Sequence, residues 1–459
     1  MINYISTRGG GPKSFEEVLL EGLAPDGGLY VPKSWPQIDL AALKGKSYVE
    51  VAEAVMFPFV EGSIERADFR GILEETYSAE IFRHPDVVPL HKLNDDLYVL
   101  ELFYGPTIAF KDVALQLLGR LFDYVLSKRG ERVTIVGATS GDTGSAAIEG
   151  CRHSDHVDIF ILHPKGRVSD VQRKQMTSVN APNVHNIALD GTFDDCQSMV
   201  KAMFNDPAFR SEMNLSAVNS INWARIMAQI VYYVSVTLAL DDEVSFVVPT
   251  GNFGNVFAAY AALQMGLPIK SLTVATNAND ILTRFFESGE MVAKDVHPTL
   301  SPSMDIQISS NFERYLFDAL GRDAEKLNAF MNEFRDSGKF SLSDSLIDGG
   351  GDLTAYRLDD EGTLEVIKKI HDETGYVLDP HSAVGMAAAL KIVGEVERDG
   401  PVVTLATAHP AKFPDAVEKA IGERPKLPDH LSDLMDREEF VTDQPNDLKA
   451  VQDFVRSNV

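Results

Sequence analysis

The sequence predicts an α/β protein: two parallel-sheet blocks behind a mostly helical N-terminal segment. Three observations carry this. Short apolar runs alternate with helical stretches from about residue 95 onward, the pattern of parallel strands joined by crossover helices. The pattern occurs twice, in residues 91–243 and again in residues 244–459. Three of the runs end in small, polar loops, TSGDTG, TGNFGN and TAHP. In parallel sheets, ligands collect beyond the carboxyl ends of strands.

The elements follow in order. Residues 1–90 read as mostly helical after a Gly-rich start. Ser14 with Glu17 three residues on is a capping-box pattern, and the helix it opens breaks at a Pro-Asp-Gly-Gly turn. DDLYVLEL reads as a strand, residues 113–128 as a helix and residues 132–138 as a buried strand. TSGDTG is a tight loop before a helix that starts at SAAIEGC. VDIFILHP, a helix around residues 169–178 and the strand VHNIALD complete the first block. The second block repeats the style in EVSFVVPTGNFGNVFAAYAALQMG, IKSLTVATNAND and PVVTLATAHPAKF. No solenoid repeat and no low-complexity linker is visible. The charged, Pro-interrupted tail from ERPKLPDHLSDLMDREEF onward is expected to be peripheral.

At 459 residues, 44% hydrophobic and 24% charged, the chain can bury a large core split over two or three domains. A net charge of −26 repels nucleic acid and anionic membranes. It leaves room for a small phosphorylated ligand held by local backbone N–H groups. The two cysteines, Cys151 and Cys196, form no disulfide framework. The N-terminus has no apolar signal core. The longest apolar stretch, residues 226–240, is broken by Gln229 and reads as a buried helix rather than a membrane span. A cytoplasmic location is expected.

Thr139-Ser140-Gly141-Asp142-Thr143-Gly144 alternates hydroxyls and glycine amides at a helix N-terminus, a geometry that binds carboxylate or phosphate. A plain cap with turn glycines is the alternative. Thr250-Gly251-Asn252-Phe253-Gly254-Asn255 lets backbone amides approach a phosphate. It lacks the Lys-Ser/Thr of a nucleotide triphosphate loop, and a structural turn competes with the phosphate reading. Thr407 ends a strand with its hydroxyl available, whereas His409 beside it reads as a packed bystander. Cys151, His153, Asp155 and His156 cluster locally but match no zinc spacing, so no metal is expected. Two anion loops, and Lys111 just before a helix in YGPTIAFKD, suggest pyridoxal phosphate. That cofactor needs a lysine, a phosphate cradle and a partner for its ring nitrogen. Burial beside Phe110 would lower the Lys111 pKa and make the amine nucleophilic.

YGPTIAFKD, ATSGDTGSA, PTGNFGN, ATNANDIL, PSMDIQISSNFER, GYVLDPHSAVG and TAHPAKF occur in one order that resembles threonine synthases of the tryptophan-synthase-β-like class, nearly end to end. The resemblance implies two three-layer domains with pyridoxal phosphate in the cleft between them. It implies that Lys111 forms the Schiff base and acts as general base. Gly251, Asn252, Phe253, Gly254 and Asn255 would seat the cofactor phosphate, and Thr407 would face the ring nitrogen. Thr139, Ser140, Asp142 and Thr143 would seat the substrate carboxylate. Asp142, at a position that is Asn in many relatives, would also lie at the cofactor. Asn277, Ser303, Asp305 and Arg314 would bind substrate. Lys165, Arg167, Arg173 and Arg314 are the candidate cations for the substrate phosphate. The implied reaction takes O-phospho-L-homoserine and water to L-threonine and phosphate, in a monomer or homodimer. A phospho-lyase releasing 2-oxobutyrate is the alternative within the family, and a non-catalytic scaffold is the alternative outside it.

Overall fold

The computed structural model describes residues 2–342, 353–394 and 400–459. Two sheets organise it. The larger has six strands in the order Leu353–Arg357, Ile269–Thr276, Val244–Pro249, Val402–Ala406, Leu97–Glu101 and Leu90–Lys92. All neighbours are parallel except the last pair. The smaller has five parallel strands, in the order Thr442–Gln444, Val184–Leu189, Val157–Pro164, Val133–Ala138 and Leu215–Ser216. Helices pack against both sheets. The central strands are buried along their whole length, as in Val157–Pro164 and Val244–Pro249. That is why they read as continuous apolar runs rather than alternating ones.

Two expectations about chain partition are corrected. The strand Leu97–Glu101, assigned above to the block 91–243, lies in the other sheet, paired with Val402–Ala406. The tail, expected to be peripheral, adds Thr442–Gln444 to the edge of the smaller sheet. The buried Val451 and Val455 of the helix Leu448–Ser457 join the apolar cluster around Phe160, Leu162 and Met203. Local sequence specifies a strand. It does not specify which sheet edge the strand finds.

The N-terminal segment is helical over Phe15–Glu21, Leu40–Leu43, Tyr48–Val60 and Arg66–Thr76, behind a two-stranded ribbon of Tyr4–Ser6 and Tyr30–Pro32. The Ser14–Glu17 capping box is formed. The helix it opens ends at Glu21, before the Pro-Asp-Gly-Gly turn. The segment joins the main core, with Tyr4 and Phe59 packed on Trp223. Trp223 opens the helix Trp223–Leu240, which among the described residues is the one helix long and apolar enough to cross a membrane. It is buried on nearly every face by protein.

The helices Lys111–Arg129 and Asp142–Cys151 cross at two facing glycines. A Cβ on Gly119 would sit 1.9 Å from the Gly150 carbonyl oxygen, and one on Gly150 would sit 2.3 Å from the Leu115 carbonyl oxygen. Backbone cannot move aside as a side chain can. Both glycines lie eight residues beyond the first residue of their helix, so the crossing fixes where Lys111 and Asp142 sit relative to each other. Gly119→Ala is expected to destabilise the protein by about 3 kcal/mol or more, read as a lowered denaturant midpoint at unchanged slope.

Candidate active site

A cleft of about 2270 Å³ opens between the carboxyl ends of the two sheets. That is well above the roughly 300–1000 Å³ of a single small-ligand pocket, and it has room for a cofactor and a substrate together. Ala138, Thr139, Ser140 and Asp142 line one wall. Pro249 to Asn252, Ser303 and Thr407 line the other. The three loops picked out in the sequence therefore do meet.

Lys111 is the first residue of its helix. The loop before it is clamped from two sides. Asp112 accepts from the Thr107 backbone N–H at 2.8 Å and from the Thr107 hydroxyl at 2.7 Å. The Phe110 N–H donates to the Thr407 carbonyl at 2.8 Å, and the His409 N–H to the Ile108 carbonyl at 3.0 Å. The Lys111 side chain is buried, its Nζ 4.9 Å from the Phe110 ring centre. Burial pushes its ammonium below the ordinary lysine range, against the pull of Asp142 and with added push from Lys412 and Arg225.

Asp142 is the hub. It opens the helix Asp142–Cys151, where the helix dipole favours an anion. Its Oδ2 lies 3.1 Å from Lys111 Nζ and accepts from Ser303 Oγ at 2.8 Å. Its Oδ1 lies 3.2 Å from Lys412 Nζ and accepts from Gln172 Nε2 at 2.8 Å. Burial alone would raise the carboxyl pKa, but Lys111 and Lys412 more than offset it and hold the group well below the usual carboxylate range. Gly141 before it has φ +139° and no space for a Cβ, which would meet Gln172 at 2.4 Å.

Within the same loop, Thr139 Oγ1 accepts from the Gly141 and Gly144 N–H groups, each at 2.9 Å. Thr139, expected to touch substrate, lines the cleft but is buried, with its hydroxyl oxygen accepting from the loop's own backbone. Ser140 is exposed on the cleft wall and Thr143 partly so, leaving these two as the hydroxyls available to a ligand.

On the opposite wall the helix Gly254–Gln264 follows the loop 250–253. Phe253 takes φ +61° and buries its ring among Phe312 and Tyr315, so what it offers a ligand is backbone. The Asn252 carbonyl accepts from Asn311, anchoring the loop. Asn255 Oδ1 accepts from Tyr232 and Tyr233, which leaves its buried Nδ2 without a partner. Arg225 Nε and Gln229 Oε1, also buried on the cleft wall, are unpartnered too. Glycines, helix-start amides and the orphaned Asn255 donor together fit a phosphate-bearing cofactor.

Thr407 is tied to the rest through a buried relay. Its N–H donates to Ser382 Oγ at 3.0 Å, and Ser382 Oγ donates to Asp379. Asp379 Oδ1 lies 2.9 Å from His381 Nδ1, and His381 Nε2 accepts from the Ser303 N–H at 3.1 Å. His409 is a turn cap, accepting from the Ala411 N–H, with its imidazole pushed down to about 4 by burial.

Several expected ligands lie elsewhere. Arg314 does not line the cleft. Its guanidinium is wholly buried and spends its donors on the Tyr30 carbonyl, the Ile221 carbonyl and Asn311 Oδ1. Burial pushes it down to about 9. It latches the N-terminal ribbon to the core. Asn277 also lies behind the wall. Its amide braces the 299–305 turn through Thr299, Ser301 and Asp305, and Asp305 in turn holds the Thr299 N–H at 2.9 Å. Lys165 pairs with Asp443, and Arg173 with Glu439 and Asp170. Both of these fasten the tail. Arg167 lines the cleft but is exposed.

The sequence reading missed Arg225, Lys412, Gln172 and the Asp379–His381 pair. A signal existed for two of them: an arginine at the head of the most apolar helix, and a lysine inside TAHPAKF.

Residues 81–408 match the family model for pyridoxal-phosphate dependent enzymes, and the chain belongs to that class. Residues 3–77 and 382–455 match the threonine synthase N-terminal and C-terminal models. The threonine synthase of Pseudomonas aeruginosa is 56% identical, over 99% of this chain and 98% of its own. A crystal structure of pyridoxal-phosphate-bound threonine synthase from Brucella melitensis superposes with a TM-score of 0.97 at 52% identity, covering 100% of this chain and 99% of that one. The yeast threonine synthase structure gives 0.94 at 41% identity, covering 99% and 98%. The chain is a member of the threonine synthase family.

Arg314→Met is expected to lower stability by about 2 kcal/mol or more, because buried carbonyls lose their donors. The kcat per folded molecule should be retained. Chemical denaturation together with active-site titration checks both halves.

Proposed function

We propose that this chain converts O-phospho-L-homoserine and water to L-threonine and inorganic phosphate. The observation that supports this best is Arg225. It is the one buried arginine on the cleft wall among the described residues, it faces no carboxylate, and it stands close enough to Lys111 to depress its pKa. The loop 250–255 serves the phosphate of a cofactor, which leaves Arg225 for a second phosphate, that of the substrate.

The residues take these roles. Thr407, the loop 250–255 and Lys111 would hold pyridoxal phosphate, which would supply the electron sink that makes a substrate Cα proton removable. Lys111 Nζ, free as an amine once substrate binds, takes that proton and then serves Cβ, since one tethered base can reach both. Ser140, Thr143 and the N-terminal amides of the helix Asp142–Cys151 hold the substrate carboxylate. Arg225 holds the phosphate as it leaves Cγ, matching the charge that grows on it. The Thr407 hydroxyl would face the ring nitrogen and add no charge there. Asp142 holds Lys111 in register, and Ser303 and Gln172 hold Asp142.

Purified protein with pyridoxal phosphate and O-phospho-L-homoserine should release threonine and phosphate in equal amounts, and Lys111→Ala should release neither. Phosphate with 2-oxobutyrate in place of threonine would move the chain to the phospho-lyase reading. Arg225→Gln should lose about 2–5 kcal/mol of transition-state stabilisation, read as a fall in kcat/KM while cofactor absorbance at saturation is preserved. An unchanged kcat/KM would remove Arg225 from the phosphate site. Because Lys111 must be a neutral amine once substrate has freed it, the rising limb of the kcat profile should fall below the free lysine value of about 10.4.

A further inference from the structure

Lys412 has no exposed surface, yet it is a lysine. It lies in the turn Pro410–Lys412 and donates to the Thr107 carbonyl at 2.8 Å. Its second contact is the Asp142 carboxylate, on the oxygen that Lys111 does not use. Asp142 therefore carries two lysines on its two oxygens. The cleft shows no other role for Lys412: it does not line the cavity and so cannot meet a ligand there.

We propose that Lys412 is a positioning residue whose ammonium is the standing counter-ion of Asp142, so that Lys111 can give up its proton without leaving a buried anion unbalanced. A lone buried Lys–Asp pair holds its proton hard, because deprotonating the lysine strands a carboxylate in a low dielectric. With Lys412 in place the carboxylate stays neutralised in either state of Lys111. The second ammonium also repels the first.

The charged and titratable groups that face this trio come from every side. Arg225, on the helix Trp223–Leu240, pushes on Lys111. His381, on the helix Pro380–Val393, acts on Asp142. Asp112 feels Lys412, while Glu149 acts on Asp112 from the helix Asp142–Cys151. Asp112 is a further acid in reach of Lys412. Burial pushes it up to about 6, against Lys412 and its Thr107 hydrogen bonds. It faces Thr107 rather than the cleft and does not replace Asp142.

The inference rests on Lys111 being the cofactor lysine, and the test separates the two ideas. Apo-protein is mixed with pyridoxal phosphate across a pH series, and the rate of appearance of the protein-bound absorbance band is recorded. Condensation needs the neutral Lys111 amine, so the midpoint reports that group. Lys412→Met should move the midpoint up by about one to three pH units, the usual effect of a charge at this range. Lys412→Arg, which keeps the charge, should leave it near wild type. Asp142→Asn should move it down, because Lys111 then faces Lys412 without the anion. A midpoint unmoved in Lys412→Met, or moved equally in Lys412→Arg, overturns the proposal. If Lys412→Met does not fold by circular dichroism, Asp142→Asn decides, and a midpoint that fails to fall overturns it. A band that forms as readily in Lys111→Ala as in wild type overturns the Lys111 reading and this proposal with it.

Discussion

One carboxylate, Asp142, sets the terms for the rest of the molecule. A buried anion is tolerated only when it is paired and fully hydrogen-bonded, and Asp142 draws its partners from four separate parts of the chain. Lys111 comes from the helix beside it, Gln172 from the next helix, Ser303 from the far wall and Lys412 from the turn after the last strand of the larger sheet. Each must arrive within about 3 Å. Many features that look independent serve that arrival, including the Gly119–Gly150 crossing, the clamped loop before Lys111 and the glycine that precedes Asp142.

From the same point a hydrogen-bonded path runs across the cleft floor. It leads from Lys111 through Asp142 and Ser303 to His381, then through Asp379 and Ser382 to the backbone of Thr407. Groups linked in this way polarise one another and hold one arrangement. Lys111 on one side of the cleft and the backbone of Thr407 on the other are thereby registered by a single network, not by two separately packed walls.

The local parts of this design were legible in the sequence. Buried parallel strands are continuous apolar runs, and the loops that follow them are made of small residues. Strand limits and all three loops follow from those facts. Partnerships made across the chain were not legible. Arg225 and Arg314 both sit in or beside apolar helices, yet one is aimed at the cleft and the other is spent on three carbonyl and amide oxygens. Nothing within several residues of either separates them. Thr139 and Ser140 are adjacent hydroxyls in one motif, but the turn directs the first inward onto backbone N–H groups. Sheet membership fails for the same reason, since Leu97–Glu101 and Val133–Ala138 have the same texture and differ only in the edge they meet.

The exchange of strands between the two sheets has a consequence for how the protein comes into being. The first strand to leave the ribosome in the larger sheet's parallel set, Leu97–Glu101, must wait for Val402–Ala406, some three hundred residues later. The smaller sheet likewise takes its edge strand, Thr442–Gln444, from far beyond the strand it pairs with, Val184–Leu189. Neither sheet closes from contiguous chain, so each keeps an open edge until its distant strand arrives, and such edges are prone to pair with a neighbour's. A net charge of −26 opposes such pairing between copies of the chain. A protein laid out in this way is assembled all at once, and its two halves have no separate history to be parted into.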